Sequence, residues 1–187
     1  MIRNRKFVLA ALAMLTLTVS AASGLAQKDP DVGGAAMYPG KNIVENALNS
    51  QDHTTLVAAV KAAGLVDTLE GAGPFTVFAP TNEAFAKLPA GAVDSLLKPE
   101  NKDQLVKILT YHVVAGKVGS KELIKMIKKG GGKAVLKTVE GGALTASLQM
   151  GHVILTDEKG GAATVTIADV YQSNGVIHVI DSVLLPN

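Results

Sequence analysis

Every segment of the chain after Lys133 has the composition of a β-strand, and this feature constrains the fold most strongly. The segments are KAVLKTV, ALTASL, HVILTD, ATVTIADV and GVIHVIDSVLL, and turns rich in glycine or serine separate them. Alternation of apolar and polar residues in ATVTIADV predicts a strand with one face toward solvent. The C-terminal half is therefore predicted to form an antiparallel sheet.

The preceding part of the chain has mainly helical patterns. DHTTLVAAVKAAG carries Leu56, Val57 and Val60 on one stripe, and SKELIKMIKKGGG is a second amphipathic segment that ends in glycines. GPFTVFAP at residues 73–80 interrupts these helices with the composition of a strand. Helices in the N-terminal half and strands in the C-terminal half predict an α+β fold.

The first residues have the pattern of an export signal. MIRNRKF is cationic, VLAALAMLTLTV is an apolar run, and SAASGLAQ supplies small residues at a cleavage site. We therefore predict a secretory signal peptide over residues 1–26, a flexible leader over 27–40, and a single domain over 41–187. The apolar run is shorter than the roughly 20 residues of a membrane span, so we expect a secreted or periplasmic protein without a span after signal removal.

Charge and cysteine content exclude several classes of partner. The full chain has 18 Lys+Arg against 16 Asp+Glu, and loss of Arg3, Arg5 and Lys6 with the signal leaves 15 against 16. All of the remaining cations are lysines, so the arginine fork that reads guanine or clamps phosphate is absent, and we do not expect a nucleic-acid partner. The sequence has no cysteine and hence no disulfide framework.

Motifs for catalysis and cofactor binding are missing or incomplete. The four histidines are His53, His112, His152 and His178. None lies three or four residues from another, as a helical zinc pair requires, and no G-x-S-x-G elbow occurs. KKGGGK resembles a phosphate loop, but Ala134 stands where a hydroxyl is needed, and TDEKGG with Asp157 is typical of a solvated turn. We predict no catalytic, cofactor-binding or metal-binding residues, and no enzyme.

Three segments together carry a resemblance to a known family. GPFTVFAPTNEAF (73–85), YHVV (111–114) and SNGVIHVIDSVLLP (173–186) resemble the first conserved block, the Tyr-His motif and the second conserved block of the fasciclin-domain family. The resemblance extends over residues 41–186. It implies a wedge-shaped β-sandwich with helices packed around it, no catalytic centre common to the members, and a role as an extracellular adhesion or matrix-associated module.

The resemblance also singles out residues with structural roles. These residues are Thr81, Asn82, Tyr111, His112, Asn174, Gly175, His178 and Asp181. We expect His112 and His178 to be neutral core residues with satisfied hydrogen-bond partners. Thr81 is expected to cap a helix, Gly175 to supply φ freedom in a turn, and Asp181 to be hydrogen-bonded or at the rim of the domain.

An adhesive site is implied at one further position. In animal adhesion members, an Asp-Ile pair shortly before the second block has been linked to integrin binding, and Asp169 and Val170 stand there in this chain. An exposed Asp169 carboxylate would suit coordination of an integrin-bound cation. The alternative is that this segment simply ends a strand before a turn. The Tyr-His region has been given a similar role in animal members, but here it is typical of a core.

The resulting prediction is an exported, non-catalytic binding or cell-adhesion module that acts through its surface and without a cofactor. Its partner would be a cell-surface or matrix protein, a polysaccharide, or a component of the envelope. One alternative is a carrier that holds a small apolar ligand or lipid in a pocket between helices and sandwich. A more distant alternative is a hydrolase assembled from Ser, His and Asp residues that lie far apart in the sequence.

Overall fold

A computed structural model describes residues 29–187 of the chain, so the signal peptide predicted over residues 1–26 lies outside the described residues. The helices are α1 Ile43–Ala47, α2 Thr54–Ala63, α3 Val66–Glu70, α4 Asn82–Ala86, α5 Ala92–Leu96, α6 Lys102–Tyr111 and α7 Ser120–Lys129. The strands are β1 Asp31–Val32, β2 Ala35–Ala36, β3 Phe75–Pro80, β4 Val113–Ala115, β5 Lys133–Lys137, β6 Ala143–Gln149, β7 His152–Thr156, β8 Ala162–Gln172 and β9 Gly175–Ile180. The protein is thus α+β, as predicted. The predicted layout is met in part: all seven helices of the described chain precede Lys133 and five strands follow from it, but β3 and β4 lie among the helices.

Side-chain caps explain where two of the short helices begin. Asn42 accepts a hydrogen bond from the Glu45 backbone N–H at 2.8 Å, and Glu45 accepts one from the Asn42 N–H at 2.8 Å. This reciprocal pair satisfies two N–H groups that α1 would otherwise leave without partners. At α4, the Thr81 hydroxyl accepts from the Ala84 N–H at 3.2 Å. Within residues 29–187, no helix has the length and apolar character needed to cross a membrane.

Seven strands form one sheet in the order β4-β3-β9-β8-β7-β6-β5. Neighbouring strands are antiparallel, except that β3 and β9 run parallel with Phe78 opposite His178. The long strand β8 pairs with β7 through its first residues and with β9 through the remainder, where the register shifts twice between Val165 and Val170. Such irregularities bend a strand and increase its twist.

The bent sheet nearly closes on itself. Its two outer strands, β4 and β5, meet at a bridge between Val114 and Thr138, and the Val139 N–H donates to the Val113 carbonyl at 2.7 Å. The expected sandwich is corrected in this respect, because one curled sheet takes the place of two stacked sheets. Local sequence patterns identify strands but do not specify which strands pair, so this closure was not predictable from them.

The sheet separates two apolar clusters, which we call the helical core and the sheet core. The helical core lies between the helices and one face of β3 and β9, and the sheet core lies inside the curl, where α7 also packs. Successive residues of a strand point to opposite faces, so Ile177 and Val179 enter the helical core and Ile180 enters the sheet core. Burial on both faces explains why β9 is apolar apart from His178.

The first described residues belong to the packed domain. Strands β1 and β2 form a hairpin whose turn is Gly33–Gly34, with φ angles of 61° and 75° that favour glycine. Val32 and Met37 are 3% and 2% exposed, and both lie in the helical core. The prediction of a flexible leader up to residue 40 is therefore wrong for this hairpin. The segment is short and rich in small residues, so its sequence did not indicate that it packs in the core.

Candidate functional site

The irregular part of β8 brings Asp169 close to His178 of β9 and to the beginning of α7. Asp169 has a φ of 61°, and its backbone N–H donates to His178 Nδ1 at 3.3 Å. Because Nδ1 accepts this bond, Nε2 carries the proton and donates to the Val118 carbonyl at 2.9 Å. The His178 ring also stacks on Phe78, with 5.7 Å between ring centroids. Burial lowers the pKa of His178, which keeps the imidazole neutral in this arrangement.

The Asp169 carboxylate is occupied by groups of its own domain. Oδ1 accepts from the Ser120 N–H at 2.6 Å, and Oδ2 accepts from the Ser120 hydroxyl. Burial alone would raise the pKa of Asp169, but the two hydrogen bonds from Ser120 and a further one from the Tyr171 hydroxyl hold it below its usual range. A carboxylate at this position also complements the partial positive charge at the N-terminus of α7. Asp169 therefore anchors α7 to β8.

The second member of the predicted adhesion pair is inaccessible. Val170 is 1% exposed and packs in the helical core. The expectation of a contact through Val170 is corrected accordingly, because the side chain after the irregularity turns toward the helices. Asp169 is only partly buried, but both of its oxygens already have partners.

The Tyr-His pair at the end of α6 connects this helix to later parts of the chain. The Tyr111 hydroxyl donates to the Ala143 carbonyl at 2.8 Å and accepts from the Glu158 N–H at 3.2 Å. Burial is the main cause that raises the pKa of Tyr111 to about 12. Tyr111 is fully buried in the sheet core, so its ring is not available at the surface.

His112 has one donor bond and one acceptor bond, as expected of a neutral core histidine. Nδ1 lies 2.8 Å from the Ile108 carbonyl and must donate to it, while Nε2 accepts from the Leu184 N–H at 3.0 Å. Burial lowers the pKa of His112 to about 4. This imidazole ties α6 to the segment that follows β9.

The polar residues of the second block hold β9 in place. The Asn174 side-chain oxygen accepts from the Ile43 N–H at 3.1 Å, and its Nδ2 donates to the carbonyls of Leu69 at 2.7 Å and Gly71 at 3.0 Å. A Cβ on Gly175 would lie 2.2 Å from the Phe75 carbonyl oxygen. The expected role of Gly175 is thus corrected: glycine is needed for close approach to β3, and its φ is not positive.

Asn82 and Asp181 also bond within the domain. The Asn82 Oδ1 accepts from the Thr55 N–H at 3.0 Å, and its Nδ2 donates to the Gln51 carbonyl at 2.8 Å, so Asn82 joins α4 to the start of α2. Asp181 Oδ1 accepts from the Thr164 N–H at 2.8 Å, while Oδ2 lies 4.0 Å from Lys87 Nζ at the surface.

Sequence reasoning missed other buried polar groups. Asp157, expected in a solvated turn, is 8% exposed and accepts from the N–H groups of Gly161 at 2.6 Å and Leu185 at 2.9 Å. The buried Asn46 side chain donates to that of Gln172, 126 residues away. A contact at such a separation leaves no local pattern. For Asp157, the following KGG was a turn signal, but it could not reveal the C-terminal segment that covers the turn.

The grouping of Ser120, Asp169 and His178 does not form a nucleophile–base pair. In such a pair the imidazole must reach the hydroxyl, whereas His178 donates to a carbonyl and the Ser120 hydroxyl donates to Asp169. Residues 29–187 contain no group of three or more His, Asp or Glu side chains placed to hold a metal ion. These three residues thus connect α7, β8 and β9, and the arrangement gives no support to the hydrolase alternative.

The apolar space between the helices and the sheet is small. A pocket lined by residues that include Val60, Leu69, Leu109 and Val113 has a cavity volume of about 40 Å³. Pockets for drug-sized ligands have volumes of roughly 300–1,000 Å³. This pocket therefore does not favour the alternative of a carrier for an apolar ligand.

Comparisons with known proteins agree with this architecture. The family model described as "Fasciclin domain" matches residues 51–186. Protein sll1483 of Synechocystis sp. is 52% identical over 160 residues, which cover 86% of this chain and 82% of that protein. The cell surface glycolipoprotein MPB83 of Mycobacterium bovis is 34% identical over 160 residues, covering 83% of this chain and 64% of that protein.

A solved structure has a similar fold. It contains a FAS1 domain pair from the insect cell adhesion molecule Fasciclin I and matches with a TM-score of 0.71 at 21% sequence identity. The match covers 79% of this chain and 51% of that chain, which corresponds to a likeness to part of the pair.

Proposed function

The chain belongs to the fasciclin domain family, and from this premise we propose that it is an exported, non-catalytic binding module. It acts through its surface on a cell-surface, matrix or envelope partner. The observation that carries the proposal is the family match over residues 51–186, which includes both blocks and the Tyr-His pair. The names of two similar proteins describe roles at the cell surface: MPB83 is a cell surface glycolipoprotein, and Fasciclin I is a cell adhesion molecule.

The internal bonding of the motif residues supports a function at the outer surface. Tyr111, His112, Asn174 and His178 are each 8% exposed or less and bonded to other elements of the domain. A partner would therefore meet side chains outside these motifs. The predicted signal peptide supports a secreted or periplasmic location, where cell-surface proteins, matrix proteins and polysaccharides are all accessible partners.

The proposal is tested by attachment of cells to the immobilised protein, purified after export of the full chain. Cells of the producing organism and isolated envelope polysaccharide are applied to the folded protein and to the same protein immobilised after unfolding in urea. We expect attachment or polysaccharide binding to the folded protein alone, because a surface site requires the fold. Equal binding to both preparations, or binding to neither, would reject a folded binding surface.

A further inference from the structure

Charge is distributed very unevenly along the described chain. Residues 117–137 contain seven lysines and one glutamate, a net charge of +6. The other described residues contain seven lysines and fifteen acidic residues, a net charge of −8. The near-neutral total thus conceals a strongly cationic segment, and such a segment attracts anionic partners.

Most lysines of the cationic segment are exposed on α7 and on the neighbouring strand β5. In α7, Leu123 and Ile127 are buried in the sheet core. The exposed lysines of the helix are Lys121, Lys125, Lys128 and Lys129. In β5, burial alternates along the strand, so Lys133, Val135 and Lys137 face outward. We call the exposed lysines of α7 and β5 the basic face.

An open groove runs beside the basic face. It has a volume of about 340 Å³ and lies where α7, β4 and β5 meet. Its lining residues are Val114, Ala115, Val118, Met126, Val135, Leu136, Lys137 and Thr138. Val135 is 68% exposed, so the apolar lining of the groove extends to the surface. The groove thus combines an apolar lining with a cationic border.

The edge of β5 that borders the groove has free backbone groups. The Thr138 N–H donates to the Gly142 carbonyl, toward β6, whereas the Val139 N–H donates to the Val113 carbonyl, toward β4. By the alternation of an antiparallel ladder, the N–H and C=O of Val135 also point toward the β4 side. Among residues 29–187, β4 reaches β5 only near Thr138, so no strand pairs with Val135 on that side.

We propose that this groove docks an extended, acidic segment of a partner polypeptide, which adds to the free edge of β5. The proposal rests on the proposed binding function and names the class of its partner. Free N–H and C=O groups along an edge are matched by the backbone of another extended chain, and this mode of peptide recognition is common. Neither a lipid headgroup nor a polysaccharide presents groups with that repeat.

The side chains of the groove specify the pattern of the docked segment. Alternate residues of an added strand point to opposite faces of the sheet. Residues on the outer face would lie beside Lys133, Val135 and Lys137, and those next to the two lysines should be acidic, because opposite charges on neighbouring strands attract. Residues on the other face would contact Val118 and Met126 and should be apolar. The expected ligand therefore alternates acidic and apolar residues.

The test uses a fluorescent peptide of alternating glutamate and valine and the protein purified after export of the full chain. Fluorescence anisotropy should detect saturable binding that weakens as salt is added. The double variant Lys133→Glu/Lys137→Glu should bind about tenfold more weakly or worse. The matched variant Lys61→Glu/Lys98→Glu changes two exposed lysines, one in α2 and one shortly after α5, and should bind as the unaltered protein does. Thermal unfolding establishes that both variants are folded.

A second pair of peptides separates strand addition from simple charge attraction. One peptide is N-methylated at every glutamate and the other at every valine. Only one of these two sets of N–H groups can face β5, so one peptide should lose binding while the other keeps it. Equal binding of both peptides would overturn the proposal.

The remaining outcomes also reject the groove as a peptide site. Binding to phosphatidylglycerol vesicles or to alginate, with no binding to the peptide, would assign the basic face to a different anion. Cell attachment that persists in Lys133→Glu/Lys137→Glu would keep the proposed binding function and place its site elsewhere. Failure of the groove and failure of the binding function are therefore distinguishable.

Discussion

At the scale of single residues, buried imidazoles are the clearest determinants of this fold. His112 donates through Nδ1 and accepts through Nε2, and His178 has the opposite assignment, donating through Nε2 and accepting through Nδ1. Each ring therefore fits only in its neutral form and in one tautomer. A histidine in the middle of the apolar strand β9 is explained by its bonds to Val118 and to Asp169 on the concave side of the sheet.

Replacement of His112 by alanine should lower the free energy of unfolding by about 2–3 kcal/mol. The reason is that the Ile108 carbonyl and the Leu184 N–H lose their partner in a buried place. Urea unfolding measures this difference, and His152→Ala is the matched control because His152 is exposed. An equal midpoint and slope for His112→Ala and the unaltered protein would show that these two bonds do not stabilise the domain.

The low pKa of His112 predicts a loss of stability in mild acid. The unfolded chain takes up a proton near pH 6.5, whereas the folded protein does so only near a pKa of about 4. The full contribution of the neutral ring is therefore present above pH 6.5 and decreases as the pH falls toward 4, by about 3 kcal/mol in total. His178 and His53, whose pKa values burial also lowers, act in the same direction.

The measurement is the free energy of unfolding at pH 7 and at pH 4.5 for the unaltered protein and for His112→Gln. The difference between the two proteins isolates the histidine from the carboxylates that titrate in the same range. We expect a smaller pH dependence in His112→Gln. The same pH dependence in both would mean that His112 is protonated as readily in the folded domain as in the unfolded chain.

At the scale of elements, Asp169 acts as a cap for α7 supplied by another strand. Asp169→Asn removes the charge near the helix N-terminus, and Asp169→Ala also removes the bonds to Ser120. We expect Asp169→Ala to destabilise the protein by about 1 kcal/mol, as for other N-terminal caps, and Asp169→Asn by less. Hydrogen exchange should show faster exchange in the first turn of α7, with Tyr171→Phe as a control that keeps Ser120 bonded.

The close approach of β3 and β9 gives an independent prediction. In Gly175→Ala, the added methyl would lie 2.2 Å from the Phe75 carbonyl oxygen and 3.0 Å from Ile43 Cδ1. We expect the strands to separate locally and the free energy of unfolding to fall by about 2 kcal/mol or more. Gly40→Ala is the control, because a Cβ there has nothing within 4 Å. Thermal unfolding measures both variants, and an equal stability of the two would contradict the role assigned to Gly175.

Elements were more predictable than their arrangement. The periodicity of SKELIKMIKKGGG predicted α7, and alternation after Lys133 predicted the strands, because both signals lie within a few neighbouring residues. The parallel pairing of β3 with β9 and the closure of the sheet depend on contacts between distant segments. The same limit applies to the site residues. Asn82 and Asn174 stood out in the family blocks, but their hydrogen-bond partners lie far away in the sequence and could not be predicted from neighbouring residues.

At the scale of the whole molecule, the residues of the family motifs and the excess positive charge lie in different places. The polar residues of the family motifs bond inward and connect the helical core to the sheet core, while the excess of positive charge lies on α7 and β5. Composition alone gave a nearly neutral chain and no electrostatic preference. The uneven distribution of charge indicates a binding site only once the fold is known, because the fold places the cationic segment beside an open strand edge.

The most direct measurement is cell attachment to the unaltered protein, to Asp169→Ala and to Lys133→Glu/Lys137→Glu, each immobilised at equal density and verified as folded. We expect attachment to the first two and its loss in the third, because Asp169 is occupied inside the domain and the basic face is available to a partner. Attachment that disappears only in Asp169→Ala would contradict a binding site on the basic face and locate it at the junction of α7 and β8.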